Sequence, residues 1–313
     1  MTITGPSPVG VTHHLPAPVA EAVRSAAPGD VVVGVDGSLP SRHALQWAIE
    51  EAEIRHVRCR LIKVLTPDAF EVVDRKTALP MFDFLADEQS ALSATVADVV
   101  ANGIGSPSTN VELVAGDPVE VLTELARHGD LLVVGTRGHG ALTNLFLGSV
   151  SSALLHHRVC PTVVVPPTAD WRERGNRIVV GVDGSDGAAR ALRWASDEAQ
   201  ARHCELVVLH AWHVPVVLAS PYAPTMVVPS EDCKQAGEAI LAQAVGLLDP
   251  GADVAVIPRL VQGAPDRELV AAAADATLVV VGGRGHSGLA AAVLGSTSRG
   301  CVHHAPCPVA VIP

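Results

Sequence analysis

The stretch VVVGVDGS at residues 31–38 returns as IVVGVDGS at 178–185. The shift of 147 positions that carries Val31 onto Ile178 also carries Trp47 onto Trp194, Gly116 onto Gly263, Gly138 onto Gly285 and Cys160-Pro161 onto Cys307-Pro308. A shift that stays constant along a whole unit marks a duplicated domain with almost no net insertion between its landmarks. The period is far too long for a solenoid, so each copy must bury its own core. The expected organisation is a flexible tail over 1–28, a first domain over 29–167, a linker over 168–177 and a second domain over 178–313.

Around this repeat, short apolar runs alternate with helical stretches. In the first copy the runs are Val31–Asp36, Arg60–Leu65, Asn110–Val114, Asp130–Gly135 and Pro161–Val165; in the second they lie near 178–183, 205–211, 253–261, 276–282 and 308–312. Near-continuous valine and leucine, without strict alternation, predicts strands covered on both faces, as in parallel sheets. Between them Ser41–His56 and Ala188–His203 space apolar residues as a helix does, with Ala44, Leu45, Ala48, Ile49 and Ala52 on one side. The fold class is therefore α/β, two tandem doubly wound domains with right-handed crossovers. Residues 66–84 and 213–230 read as long loops after the second strand of each copy, and Trp171–Asn176 as a charged connection between copies.

Composition removes several functions. The formal net charge is −11, and only three of the 22 basic residues are lysines, Lys63, Lys76 and Lys234. An acidic chain with no basic stripe is ill suited to a nucleic-acid backbone or an anionic membrane surface. No apolar stretch approaches the roughly 18–20 residues that cross a bilayer, and the N-terminus lacks the pattern of a secretion signal. A cytoplasmic location is expected. Six cysteines without a CxxC pair are expected to be free thiols.

The chemistry is concentrated after the fourth strand. VVGTRGHGALTNLFLGSVS (133–151) and VVGGRGHSGLAAAVLGSTS (280–298) both fit G-x2-G-x9-G-S, through Gly135, Gly138, Gly148 and Ser149, and through Gly282, Gly285, Gly295 and Ser296. A glycine turn at the carboxyl end of a parallel strand lets backbone N–H groups approach an anion. Gly148-Ser149 and Gly295-Ser296 then open a helix, whose N-terminus favours phosphate. Such a cradle can hold a triphosphate without a lysine. It is neither a Walker A loop nor the dinucleotide GxGxxG fingerprint. Glycines needed only for tight turns are the plainer reading, but a four-point spacing present twice favours the cradle.

V-G-V-D-G-S at the first strand, the G-x2-G-x9-G-S cradle and the closing H-H-x-x-C-P run together resemble the ATP-binding universal stress proteins, over about nine-tenths of the chain. The resemblance implies a five-stranded parallel sheet in the order 3-2-1-4-5, similar to the adenine nucleotide alpha hydrolases, with ATP, with or without Mg2+, outside the strand carboxyl ends. It implies that Asp36 and Asp183 contact the adenosine portion, and that Val64 and Ala211 offer backbone to the adenine. Gly135, Gly138, Gly148, Ser149 and Ser151 would surround ribose and phosphates in the first domain, as would Gly282, Gly285, Gly295, Ser296 and Ser298 in the second. Arg137 and Arg284, inside the glycine turn, can pair with phosphate charge or stand in solvent. The resemblance also implies pairing of the fifth strands (161–165 and 308–312), within a pseudo-dimer of the two halves, between chains as a homodimer, or both.

Other signals carry less. His156, His157 and Cys160, repeated as His303, His304 and Cys307, are chemically sound zinc ligands. Yet histidine suits a helix end and cysteine a buried strand start, so no metal is expected. Asp117 and Asp266 read as helix starts, and no nucleophile with its base can be assembled, so no catalytic residue is assigned. Three functions remain open: an ATP-binding regulatory module, a slow ATPase or nucleotide-dependent transferase, and a nucleotide-free scaffold whose cradles Leu142 or Leu289 would block.

Overall fold

The computed structural model describes residues 18–25, 27, 29–67, 81–101, 107–129, 131–136, 147–167, 171–214, 229–284 and 294–313. The first domain runs β1 (Val31–Gly34), α2 (Leu39–Arg55), β2 (Cys59–Leu65), α3 (Met81–Ala101), β3 (Thr109–Ala115), α4 (Pro118–Ala126), β4 (Leu131–Gly135), α5 (Ser149–His157) and β5 (Thr162–Val165), preceded by α1 (Val19–Arg24). The second repeats it as β6 (Arg177–Gly181), α6 (Asp186–Ala201), β7 (Glu205–Trp212), α7 (Ser230–Val245), β8 (Val256–Gln262), α8 (Pro265–Ala272), β9 (Leu278–Gly282), α9 (Ser296–His304) and β10 (Val309–Ile312).

The ten strands among the described residues belong to one sheet in the order β3-β2-β1-β4-β5-β10-β9-β6-β7-β8. Pairing is parallel within each domain and antiparallel only at the seam, where Val309 faces Val164 and Val311 faces Thr162. Each fifth strand thus covers the other's edge within one chain. The strands alternate their side chains between two cores. Val31, Val33, Leu131, Val133, Val163 and Val165 pack beneath α2 and α3, while Val32, Leu132, Val134 and Val164 pack beneath α4 and α5. Both cores run across the seam, one through Ala310 and Ile312 and the other through Val309 and Val311. This explains why the inner strands read as unbroken apolar runs: β4, β5 and β10 are buried at every position. The outer strand β8 is mostly exposed and carries Pro258, which an edge tolerates.

The structure corrects several boundaries. Within the tail expected over 1–28, Val19–Arg24 form α1, held by the fully buried Arg60, which donates to the Ala22 carbonyl at 2.6 Å and pairs with Glu112 at 2.7 Å. Residues 81–84, expected in a loop, begin α3. The connection at Trp171–Asn176 is docked, with Trp171 buried and its Nε1–H donating to Glu50 at 2.8 Å. The run near 253–261 starts its strand only at Val256, because Val254 N–H turns back to the Ala252 carbonyl.

Between α2 and α6 lies a quartet that the repeat makes almost symmetric. Arg55 pairs with Glu51 one turn back and, at 2.7 Å, with Glu198 of the other domain; Arg202 pairs with Glu198 one turn back and with Glu51 across the interface. Both carboxylates are buried, and each guanidinium also lies over the other domain's tryptophan, Arg55 at 5.5 Å from the Trp194 ring and Arg202 at 5.3 Å from Trp47. Burial pushes the Glu51 carboxyl up to about 7 against the pull of Arg202. For Glu198 burial also works upward, but Arg202 and Arg55 outweigh it and hold the carboxyl below its ordinary value.

Candidate functional site

Each domain turns at its first strand in the same way. In D-G-S, Asp36 Oδ1 accepts from Ser38 N–H at 2.9 Å, and Asp183 Oδ1 accepts from Ser185 N–H at 3.0 Å and from the Ser185 hydroxyl at 2.6 Å. Gly37 and Gly184 supply the positive φ, 91° and 84°, that this turn needs. Ser38 and Ser185 then cap α2 and α6. The Asx turn and a ligand contact are compatible roles, because the turn engages one carboxylate oxygen.

The first glycine of each cradle is fixed by packing. A Cβ on Gly135 would stand 2.8 Å from the Pro40 carbonyl carbon and oxygen, and one on Gly282 would stand 2.9 Å from the Gly187 carbonyl carbon. The helix start of α2 or α6 therefore presses directly on the end of β4 or β9. Gly282→Ala is expected to lower the unfolding free energy by about 1–3 kcal/mol, the cost of overpacking against rigid backbone. Urea denaturation measures this, and an unchanged midpoint would refute the packing role.

The second half of each motif opens a helix without a compensating side chain. Gly148 and Gly295 are the N-caps of α5 and α9, and neither helix has a capping side chain or an acidic residue in its first turn. Every other described α-helix has one or the other. The first N–H groups of α5 and α9 thus keep their partial positive charge uncompensated. The Gly148 and Gly295 N–H groups donate to Thr136 and Gly283 carbonyls at 2.7 and 3.1 Å, tying helix start to strand end. Ser149 and Ser296 are exposed at the first helical position. Ser151 and Ser298 are buried, and their hydroxyls donate to the Gly135 and Gly282 carbonyls, each at 2.6 Å. Their hydrogens are held inside the protein, so these serines lock the cradle's shape.

In the second domain these parts border a cavity of about 380 Å³ at the carboxyl ends of the strands. Of the predicted residues, Asp183, Ala211, Gly282, Arg284, Gly295, Ser296 and Ser298 line it; Gly285 lies outside the described residues. In the first domain Asp36, Val64, Gly135, Gly148, Ser149 and Ser151 occupy the corresponding places, whereas Arg137 and Gly138 lie outside the described residues, as do Leu142 and Leu289. Sequence reasoning missed the apolar wall of Val182, Leu209 and Leu269, and His213 just beyond β7. One signal was available for Leu269: Gly181, like Gly34 in the other copy, leaves room for it, and a Cβ there would meet its Cδ1 at 2.8 Å.

The histidine pairs are exposed on the last turns of α5 and α9, while Cys160 and Cys307 are buried in the core, where burial pushes the Cys307 thiol up to about 12. Asp117 caps α4 by accepting from Val119 and Glu120 N–H. No described helix is long and apolar enough to cross a membrane.

Comparison with known proteins agrees with this architecture. The universal stress protein family matches residues 29–166 and again 175–313. The chain is 33% identical over 287 residues to universal stress protein Rv2005c of Mycobacterium tuberculosis, covering 90% of this chain and 96% of that one. It is 30% identical over 286 residues to universal stress protein Rv2623 of the same organism, covering 90% and 95%. Among solved structures, a universal stress protein from Archaeoglobus fulgidus superposes with a TM-score of 0.62 at 22% identity, covering 90% of this chain and 97% of that one, which speaks for the fold. With two matched domains, a repeated cradle and relatives aligned along nearly their whole length, the chain belongs to the universal stress protein family, as a tandem of two such domains.

Proposed function

We propose that the protein is a regulatory ATP-binding module of the stress response, with one nucleotide site in each domain. The observation that carries this reading is the second-domain cavity, where seven of the predicted site residues meet an uncompensated helix start. Its volume of about 380 Å³ lies in the range of small-ligand sites. The apolar wall of Leu209, Ala211 and Leu269 suits a base, Asp183 a ribose hydroxyl, and the α9 N–H groups with Arg284 a phosphate tail. Bound ATP supplies an anionic tail and a planar base; the chain's own part is to orient both without a lysine.

Regulation follows if ATP favours one arrangement of the cradle and its surroundings over another. Because β5 and β10 cover each other, a further homodimer must use another surface. The nucleotide content of the purified protein tests the reading. Denaturation and separation of the released small molecules is expected to yield ATP, up to two per chain. If none is released and added ATP leaves the melting temperature unchanged, the scaffold reading replaces this one.

A further inference from the structure

The shift of 147 positions sets the second-domain cavity against its counterpart residue by residue. At the cradle, Gly282, Arg284, Gly295, Ser296 and Ser298 stand where the first copy has Gly135, Arg137, Gly148, Ser149 and Ser151, the same five residue types. The apolar wall also repeats, with Leu269 for Leu122. The copies part chiefly along β7. There Leu209, Ala211 and His213 replace Ile62, Val64 and Thr66. The other two exchanges, Ala188 for Ser41 and Thr297 for Val150, are isolated.

Leu209, Ala211 and His213 are spaced two residues apart, so they follow one face of the strand to its carboxyl end, the face that borders the cavity. In the sheet β6 lies between β9 and β7, and Asp183 stands just past its end. Two strand spacings, about 10 Å, thus separate the cradle after β9 from the β7 side of the cavity. A nucleotide with its phosphates at the start of α9 extends across Asp183 and brings its base to β7. His213 is exposed at that end, an aromatic ring with a nitrogen on either side. Beside it Ala211 lacks the two methyl groups that Val64 carries, so the wall recedes where a base would enter.

We propose that His213 is a base-contacting residue of the second domain's nucleotide site, its ring stacking on the purine in the space that Ala211 opens. This rests on the nucleotide-binding reading given above and adds that the two sites of the chain are unequal. They share one phosphate chemistry but hold the base differently, the second with an imidazole face and the first with Thr66, which has no ring. Stacking is indifferent to the number of phosphates, so it strengthens AMP and ATP alike. A contact at the cradle, by contrast, favours the triphosphate.

Calorimetric titration of the full chain with ATP, and separately with AMP, tests this. Ser149→Asp silences the first site and Ser296→Asp the second, each by placing a carboxylate where phosphate binds. In the S149D background, His213→Ala is expected to weaken ATP and AMP by the same factor, about 5-fold or more, the effect of one lost base–aromatic stack. His213→Phe keeps a ring face and is expected to retain both affinities within about twofold. Arg284→Ala, acting from the phosphate end, is expected to weaken ATP more than AMP. In the S296D background, where only the first site remains, H213A is expected to change neither ligand. An exposed side chain contributes little to folding, so the melting temperature of nucleotide-free H213A should match the parent's. Unchanged affinities in S149D/H213A, a loss confined to ATP, or an equal loss in both backgrounds overturns the base-contact assignment and leaves nucleotide binding standing. Absence of ATP and AMP binding in the unmodified chain overturns the nucleotide reading and this assignment with it.

Discussion

Arg202→Ala is expected to destabilise the protein by about 3–5 kcal/mol, the cost of breaking a buried ion pair from one side. The loss has two sources. Arg202, like Arg55, bridges Glu51 and Glu198, so its removal leaves two buried carboxylates facing Arg55 alone. It also removes the cation lying over the Trp47 ring at 5.3 Å. Arg55→Ala is expected to do the same from the other side, though less severely, because Arg55 is more exposed, at 27% against 13%.

The contrasting variant replaces all four members with methionine. Desolvating two carboxylates and two guanidiniums costs much of what their pairing returns, and an apolar cluster of similar volume often does as well. The fourfold variant is therefore expected to lose less stability than R202A alone. Urea unfolding curves of both decide the matter. A fourfold variant that falls further than R202A would mean that the quartet itself, and not the avoidance of an unpaired charge, holds the domains together.

The quartet also shows what a sequence can hide in plain view. Glu51 and Arg55 stand four residues apart, Glu198 and Arg202 repeat them at the same shift, and Trp47 and Trp194 precede each pair. Each pair alone reads as a helix-surface ion pair, a common and weak feature. Only the antiparallel seam, which brings α2 beside α6, turns two local pairs into one buried cluster. The fold itself was legible because repetition and apolar runs are local properties: valine- and leucine-rich strands imply cover on both faces, and the structure shows that cover for β4, β5 and β10. The repeated glycine spacing was legible for the same reason, being one continuous segment. The packing of Arg158 over Gly283 was not, since the two lie 125 positions apart and proximity across a strand pair leaves no mark on either neighbourhood. The serines were half legible. Ser149 and Ser151 look equivalent in sequence, yet one is exposed at the helix start and the other is buried with its hydroxyl on the Gly135 carbonyl.

That difference sets the largest expected effect on ligand binding. Placing a carboxylate at the first position of both helices, as Ser149→Asp with Ser296→Asp, is expected to abolish nucleotide retention and to lower ATP affinity at least about 100-fold, the effect of several kcal/mol of like-charge contact. The same substitution should leave the fold intact or strengthen it. α5 and α9 lack an acidic residue in their first turns, and an aspartate there complements the helix dipole by about 0.3–1 kcal/mol. Asparagine at the same positions controls for size, since it brings no charge and is expected to retain most binding. The two readouts thus move in opposite directions, melting temperature level or upward and ATP affinity downward. A damaged fold would lower both. If the aspartate variant melts as the parent does and still binds ATP with unchanged affinity, the phosphate does not lie at these helix starts. In that case the lack of acid and cap in both first turns would need another cause.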